Sequence, residues 1–152
     1  MRGTIVAVVA LACLAASGAG AAAARHGAFH TPSGNIVCAW DLGDAGYAPY
    51  IRCDIRSGLR PAPARPRGCP HDIDFGQGLQ LSAVPKRNER GSGTASVVCA
   101  GDTVLGERGP PLAYGSRFSR GGITCVSRAT GLTCRNEAGR GFFLSRERWK
   151  VS

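Results

Sequence analysis

Six cysteines between residues 38 and 134 constrain the fold of this 152-residue chain more than any other feature. No two of them have the C-x-x-C spacing of a zinc or redox site, and the chain has only 3 histidines. An even number of cysteines in an exported chain is typical of a disulfide framework. We therefore expect disulfides rather than a metal site, and no cofactor. The six are Cys38, Cys53, Cys69, Cys99, Cys125 and Cys134.

The start of the chain predicts export. Arg2 supplies a short positive segment, residues 4–16 are uncharged and mostly apolar, and small residues follow, which is the pattern of a signal peptide. The apolar stretch is too short for a transmembrane helix, and Cys13 comes too early in it for lipid attachment. We expect a signal peptide at residues 1–24 and a single domain at residues 25–152 without a transmembrane segment. The mature protein would be secreted or associated with the cell envelope.

Local spacing favours pairing each cysteine with a neighbour in the sequence, although sequence alone does not choose among all the possible pairings. In an antiparallel hairpin that pairs Cys125 with Cys134, residues 129–130 form a two-residue turn. A type I turn that ends at Gly131 is an alternative. The expected partners are Val126 with Thr133, Ser127 with Leu132, and Arg128 with Gly131.

A similar pattern surrounds Cys38 and Cys53. Ile36 and Cys38 correspond to Ile123 and Cys125, and residues 51–54 correspond to residues 132–135. This is either a weak internal repeat of disulfide-closed hairpins or a chance match. Two cysteines remain to join the middle of the chain. The predicted disulfides are Cys38–Cys53, Cys69–Cys99 and Cys125–Cys134.

Short β-like segments separated by glycine and proline turns cover the domain, and no long segment keeps the apolar period of a helix. We predict an all-β fold, a small disulfide-stapled antiparallel sheet or barrel-like domain built of hairpins, with little helix. The expected strands are residues 35–40, 49–55, 79–84, 95–100, 103–105, 112–118 and 141–146, together with the hairpin around Cys125 and Cys134.

The chain has a formal net charge of +9, which attracts anionic partners. Its arginines are scattered rather than gathered in a tail, and its few aromatic residues do not alternate with them, which argues against specific nucleic-acid binding. The proline-rich basic segment at residues 59–68 is predicted to be extended and solvated. It is either a connecting loop or a basic ligand for an acidic partner. Sequence leaves the oligomeric state open.

No motif of a known catalytic class is present, so no catalytic residue is assigned. His71 lies near Asp72 and Asp74, but a surface loop is the simpler interpretation. If a signal peptidase cut after Ala23, His26 would be the third residue and could help to bind Cu(II) or Ni(II). Asp102 suits a turn, and Asn136 suits hydrogen bonds to the backbone. The candidate polar or binding residues are His71, Asp102, Asn136, Arg140 and Arg146.

Several segments in order resemble an uncharacterised family of small secreted, cysteine-rich actinobacterial proteins, a domain-of-unknown-function family. They are FHTPSGNIVC, RCDI, CAGDT, LAYG, GGITCVSRATGLTCRN and GRGFFLSR. The resemblance implies secretion and six bridge-forming cysteines, but no activity. Where the family often has Gly-His-Gly-Phe, this chain has Arg140 in place of the histidine, which puts any role of that histidine in doubt here.

Three functions remain open. The first is an exported non-catalytic module that binds an anionic cell-envelope component or a protein partner, which an open arginine-rich surface would favour. The second is a small secreted hydrolase, which His71 and two carboxylates in one cleft would favour. The third is a secreted inhibitor or effector that presents residues 59–68, which a rigid exposed loop held by Cys69 would favour.

Overall fold

The computed structural model describes residues 24–152. The predicted signal peptide, apart from Ala24, lies outside the described residues, as does Cys13. The described part has ten strands in two five-stranded antiparallel sheets and no helix. The all-β prediction is therefore confirmed. Residues 24–152 contain no helix long and apolar enough to span a membrane.

Each sheet is a meander in which consecutive strands pair. The first sheet consists of β1 (His26–His30), β2 (Ile36–Asp41), β3 (Tyr50–Ile55), β4 (Phe75–Ser82) and β5 (Ala95–Cys99). The second consists of β6 (Arg117–Arg120), β7 (Ile123–Arg128), β8 (Gly131–Asn136), β9 (Gly141–Leu144) and β10 (Trp149–Val151).

One hydrophobic cluster joins the two sheets. Successive side chains of a strand point to opposite faces, and in β3 the inward residues Ile51 and Cys53 are fully buried. Leu132 contributes to the same cluster from the second sheet. At the margin of the cluster, the rings of Phe29 and Phe118 lie 4.8 Å apart between centroids. The apolar faces of the two sheets therefore pack against each other, and the opposite face of each sheet points outward.

Residues 100–112, the first part of the connection between the two sheets, cross the outer face of the first sheet, and we call them the crossing segment. The Thr103 hydroxyl and the next backbone amide donate hydrogen bonds of 2.9 and 3.1 Å to Asp54 Oδ2. Further along, His30 forms backbone hydrogen bonds of 3.2 and 2.8 Å with residues 110 and 112. The crossing segment thereby covers the His30 end of the outer edge of β1, which would otherwise be open to pairing with another chain.

The disulfides join Cys38 to Cys53, Cys69 to Cys99 and Cys125 to Cys134, the pairs that the sequence favoured. The first and third join directly opposed residues of neighbouring strands, with Cα atoms 4.0 Å apart. The second joins the loop before β4 to the end of β5. Each bridge lies within one half of the domain, so the halves are held together by packing and by the crossing segment.

The predicted hairpin register is confirmed, with residues 129–130 as the turn between β7 and β8. The strand expected at residues 103–105 is wrong, because Asp54 binds this stretch as an irregular segment. The strand expected at residues 112–118 begins only at Arg117, because Gly115, with φ +86°, forms a turn just before it. Strands β1 and β10 were not predicted.

Candidate functional site: the arginine face

Alternation along the strands places positive charge on the outer face of the second sheet. In β7, Ile123 and Cys125 are buried in the core, so Thr124 and Arg128 point outward. The neighbouring strands follow the same alternation. We call this outer surface the arginine face. Its members are Arg117, Ser119, Thr124, Val126, Arg128, Thr133 and Arg135, with Arg120 at its edge.

The strand register orders these side chains in rows. In one row Arg117 lies opposite Val126, which lies opposite Thr133. In the next row Arg135 lies opposite Thr124, which lies opposite Ser119. Strand spacing and rise place Arg117 and Arg135 roughly 12 Å apart between backbones. The Ser119 and Thr124 hydroxyls lie 3.0 Å apart, so hydroxyl groups occupy the space between guanidinium groups.

The arginine face is an open depression of about 770 Å³. The β6–β7 turn at Gly121 and Gly122 bounds it, and both residues have a positive φ, +56° and +77°. A side chain at Gly121 would collide with Pro49, which directly precedes β3, so the turn packs closely against the first half of the domain. The depression is therefore bounded by a turn whose conformation requires glycine.

The arginine face carries an unbalanced positive charge. Both salt bridges found in residues 24–152 belong to Arg52, which lies elsewhere. Arg135 donates a hydrogen bond of 2.8 Å to the Gly139 carbonyl, and the Arg120 guanidinium lies 5.0 Å from the centre of the Trp40 ring. Glu137 is the one carboxylate that lines the depression. Guanidinium groups with hydroxyls between them suit phosphate, sulfate or carboxylate groups.

Asn136, a predicted polar residue, lies at the end of the arginine face but serves the fold. It is buried, and its Nδ2 donates hydrogen bonds of 3.1 and 2.9 Å to the carbonyls of Ser82 and Gly93 in the first half of the domain. Its Oδ1 accepts hydrogen bonds of 3.1 Å from the amides of Ala138 and Arg140. Asn136 therefore fixes the β8–β9 turn against the first sheet.

Arg140 and Arg146 are both exposed. Arg140 lies in the β8–β9 turn, and Arg146 lies in the β9–β10 turn. Arg146 lines a smaller depression of about 250 Å³ where three turns meet at one end of the domain. Arg128 lines both this depression and the arginine face, so the two surfaces are continuous. Of the predicted candidates, Asn136 thus lines the arginine face itself and Arg146 lines its extension.

Asp102 is the exposed member of an ionic network on the first sheet, whose other members, Arg52 and Asp54, are buried. Its carboxylate accepts a hydrogen bond of 2.7 Å from Arg52 Nη1, and this bond and the positive charge hold the pKa of Asp102 below its usual range. Burial disfavours the charged Arg52 guanidinium, but Asp54 and Asp102 outweigh burial and raise its pKa. The network fixes the crossing segment onto β3.

His71 and His26 both lie away from the arginine face. His71 is exposed, and the depression beside it is lined by residues 65–71, without Asp72 or Asp74. His26 is the first residue of β1 and lies opposite Asp41. Within the described residues, no three His, Cys, Asp or Glu side chains are grouped as metal ligands.

The proline-rich loop at residues 59–68 is largely exposed but held in place. Its Pro61 carbonyl accepts a hydrogen bond of 2.7 Å from Trp149 Nε1. Arg65 turns inward, donates a hydrogen bond of 3.1 Å to the Ile73 carbonyl and lies 4.9 Å from the centre of the Phe75 ring. The disulfide at Cys69 follows directly. These contacts therefore hold the exposed loop in one position on the domain.

Sequence reasoning missed the arginine face because it counted arginines along the chain. The signal was the mostly polar set of alternate residues in β7 and β8, in which Val126 is the one large apolar side chain. These residues become a surface only when the register of three strands is known.

The family comparison covers nearly the whole chain. A family model described as "Family of unknown function (DUF6636)" matches residues 8–151. Comparisons with curated proteins and with solved structures give no significant match. Because the matched range exceeds half of the chain, the chain belongs to DUF6636, a family of unknown function.

Proposed function

We propose that this protein is a non-catalytic module that binds an anionic polymer of the cell envelope through the arginine face. The observation that carries the proposal is the open depression in which Arg117, Arg128 and Arg135 project among hydroxyls without forming salt bridges within the described residues. A wide, solvent-open sheet face suits a repeating polymer better than a small substrate, which usually binds in a more enclosed pocket.

The three disulfides indicate an extracellular or otherwise oxidising environment. The finer proposal, secretion by an actinobacterium after removal of a signal peptide, rests on the leader sequence and on the resemblance described above. An anionic polymer of the envelope would be within reach of a protein secreted in this way. The full chain has a net charge of +9, and Arg2 is the only charged residue of the leader, so the secreted protein would keep a large positive charge that attracts it to such a polymer.

The test measures binding to a polyanion as the arginine face is changed. We expect the disulfide-bonded protein to bind dextran sulfate and isolated envelope fractions at low salt, and not to bind neutral dextran. The triple variant Arg117→Ala/Arg128→Ala/Arg135→Ala should weaken binding about tenfold or more, and added salt should weaken the wild type. Isothermal titration calorimetry with dextran sulfate and sedimentation with envelope fractions provide the readouts.

A matched control separates the arginine face from total charge. Arg60, Arg67 and Arg87 are exposed arginines outside this surface. Replacing these three by alanine removes the same charge and should leave most of the binding intact. Equal losses in the two triple variants would show that net charge alone attracts the polymer. An affinity for dextran sulfate that does not fall as salt is added would contradict the electrostatic proposal.

The loop at residues 59–68 supports a second candidate, a secreted inhibitor or effector. The specific observation is its attachment through Trp149, Arg65 and Cys69, which lowers the entropic cost of binding a partner. A protein partner captured by the wild type and lost with Arg60→Ala/Arg67→Ala, but retained by the arginine-face variant, would favour this function.

A further inference from the structure

Two tyrosines at one end of the first sheet, one in β3 and one in the loop before it, are about half exposed and line the same depression. Tyr47 is 53% exposed and Tyr50 is 47% exposed, although each has a large aromatic ring. They line one depression of about 340 Å³ together with Asp41, Asp44 and Arg90. We call this surface the tyrosine depression. Tyr50 also lines an adjoining depression of about 210 Å³, with Gln80 and Ser92 in its wall.

The tyrosine depression is fixed in shape before any ligand binds. The loop that carries Tyr47 pairs with the loop at Arg90, where the Ala48 amide donates a hydrogen bond of 2.8 Å to the Arg90 carbonyl. The Arg90 guanidinium lies 5.8 Å from the centre of the Tyr47 ring. Tyr50 projects from β3, between Asp41 on β2 and Ser82 on β4. Rigid aromatic side chains on a fixed surface give binding area at low entropic cost.

The polar groups around the rings suit hydroxyl groups. Asp41 uses one carboxylate oxygen to accept a hydrogen bond of 2.6 Å from the Gly43 amide, which leaves the other for a ligand. Asp44 is exposed, and Gln80 and Ser92 lie at the other side of Tyr50. A carboxylate accepts strong hydrogen bonds from hydroxyl donors. The apolar face of a sugar ring can pack on an aromatic ring while its hydroxyls bond to such groups.

The tyrosine depression differs from the arginine face in its local charge. Two carboxylates and one guanidinium line the tyrosine depression, so a polyanion gains little there. Tyr50 points outward from the first sheet, whereas the arginine face is the outer side of the second. The two surfaces therefore differ in charge and suit different ligand chemistries.

We infer that the tyrosine depression binds a neutral carbohydrate chain. The rings of Tyr47 and Tyr50 stack on sugar rings, and Asp41 and Asp44 accept hydrogen bonds from sugar hydroxyls. The adjoining depression extends the contact to a neighbouring sugar unit. This inference does not depend on the proposed binding of polyanions.

The test titrates the disulfide-bonded protein with three neutral oligosaccharides: chitotetraose, cellotetraose and maltotetraose. We expect saturable binding of at least one of them by calorimetry, at concentrations up to about 10 mM. Tyr47→Ala and Tyr50→Ala should each weaken that binding about tenfold, as expected for aromatic residues at the centre of a binding surface. Amide shifts in nuclear magnetic resonance spectra should be concentrated at residues 41–50 and 80–92.

Tyr114 supplies the matched control, since it is 48% exposed and lies outside the tyrosine depression. Tyr114→Ala should leave oligosaccharide binding unchanged, and so should the triple arginine-face variant. Because Tyr50 lies in a strand, Tyr50→Val tests the loss of the ring while keeping strand propensity. The absence of saturable binding by all three oligosaccharides, or equal binding by the wild type and both tyrosine variants, would overturn the inference.

Discussion

The Asp54 carboxylate is fully buried and accepts four hydrogen bonds. Two come from Arg52, at 3.0 and 2.9 Å, and two come from the crossing segment. A side chain at Gly78 on the neighbouring strand would overlap the carboxylate, so only glycine leaves room for it. A buried charge is tolerated when it is paired and its oxygens are bonded. Asp54 meets both conditions.

The variant Asp54→Asn should therefore be strongly destabilising. It keeps the shape of the side chain but leaves the largely buried Arg52 guanidinium without its main counter-charge. We expect the free energy of unfolding to fall by about 3 kcal/mol, measured by urea denaturation at pH 7. A loss of less than about 0.5 kcal/mol, the usual size for a surface change, would contradict this account of the network.

Asp102→Asn is the matched control, because the Asp102 side chain is 81% exposed while it bonds to the same arginine. Its effect should be small, since exposed ion pairs contribute little to the free energy of unfolding.

The pKa of Asp102 is lowered in the folded state by the hydrogen bond from Arg52. The stabilisation it gives is thus fully present above the pKa of an aspartate in the unfolded chain, and it is lost as pH falls through the lower folded-state pKa. Urea denaturation at several pH values measures this loss. A difference in the free energy of unfolding between wild type and Asp102→Asn that persists below the folded-state pKa of Asp102 would be inconsistent with this ion pair.

Two hairpins of the same form lie at the centres of the two sheets. Cys38 and Cys53 are opposed in β2 and β3, and Cys125 and Cys134 are opposed in β7 and β8. The register of the β7–β8 hairpin could be predicted from the sequence, because its cysteines lie only nine positions apart and few strand pairings fit between them. The separation between Cys38 and Cys53 is fifteen residues, and their connecting loop carries Tyr47.

Other elements could not be read from local sequence because distant contacts define them. Strand β1 contains two histidines, a glycine and an alanine, and it extends through pairing with β2. Strand β10 has only three residues and depends on β9. Residues 103–105 carry strand-forming residues, yet the buried Asp54 carboxylate holds them as an irregular segment.

The bridge between Cys125 and Cys134 should act as a single unit. Cys125→Ser and Cys134→Ser should each lower the free energy of unfolding by about 2–4 kcal/mol, because each removes the same constraint on the unfolded chain. The double variant should be no less stable than either single variant. Urea denaturation under non-reducing conditions measures all three, and strictly additive losses would argue against this pairing.

At the scale of the domain, none of the three disulfides within residues 24–152 joins the two sheets directly. Cys38–Cys53 and Cys69–Cys99 lie in the first half, and Cys125–Cys134 lies in the second. The shared hydrophobic cluster and the crossing segment hold the halves together. The tyrosine depression lies on the outer side of the first sheet, and the arginine face lies on the outer side of the second. Each surface therefore keeps its shape only while the shared core holds its sheet in place.

Separated halves of the domain should therefore fail to fold alone. Residues 24–112 would expose the apolar face of the first sheet, and residues 113–152 would expose that of the second. We expect neither fragment to show a cooperative thermal transition by near-ultraviolet circular dichroism, even with its own disulfides formed. Mixed in equal amounts, they should regain a cooperative transition at a lower temperature than the intact chain, because association costs entropy that a covalent link avoids. A cooperative transition in either fragment alone would show that its sheet is stable without its partner.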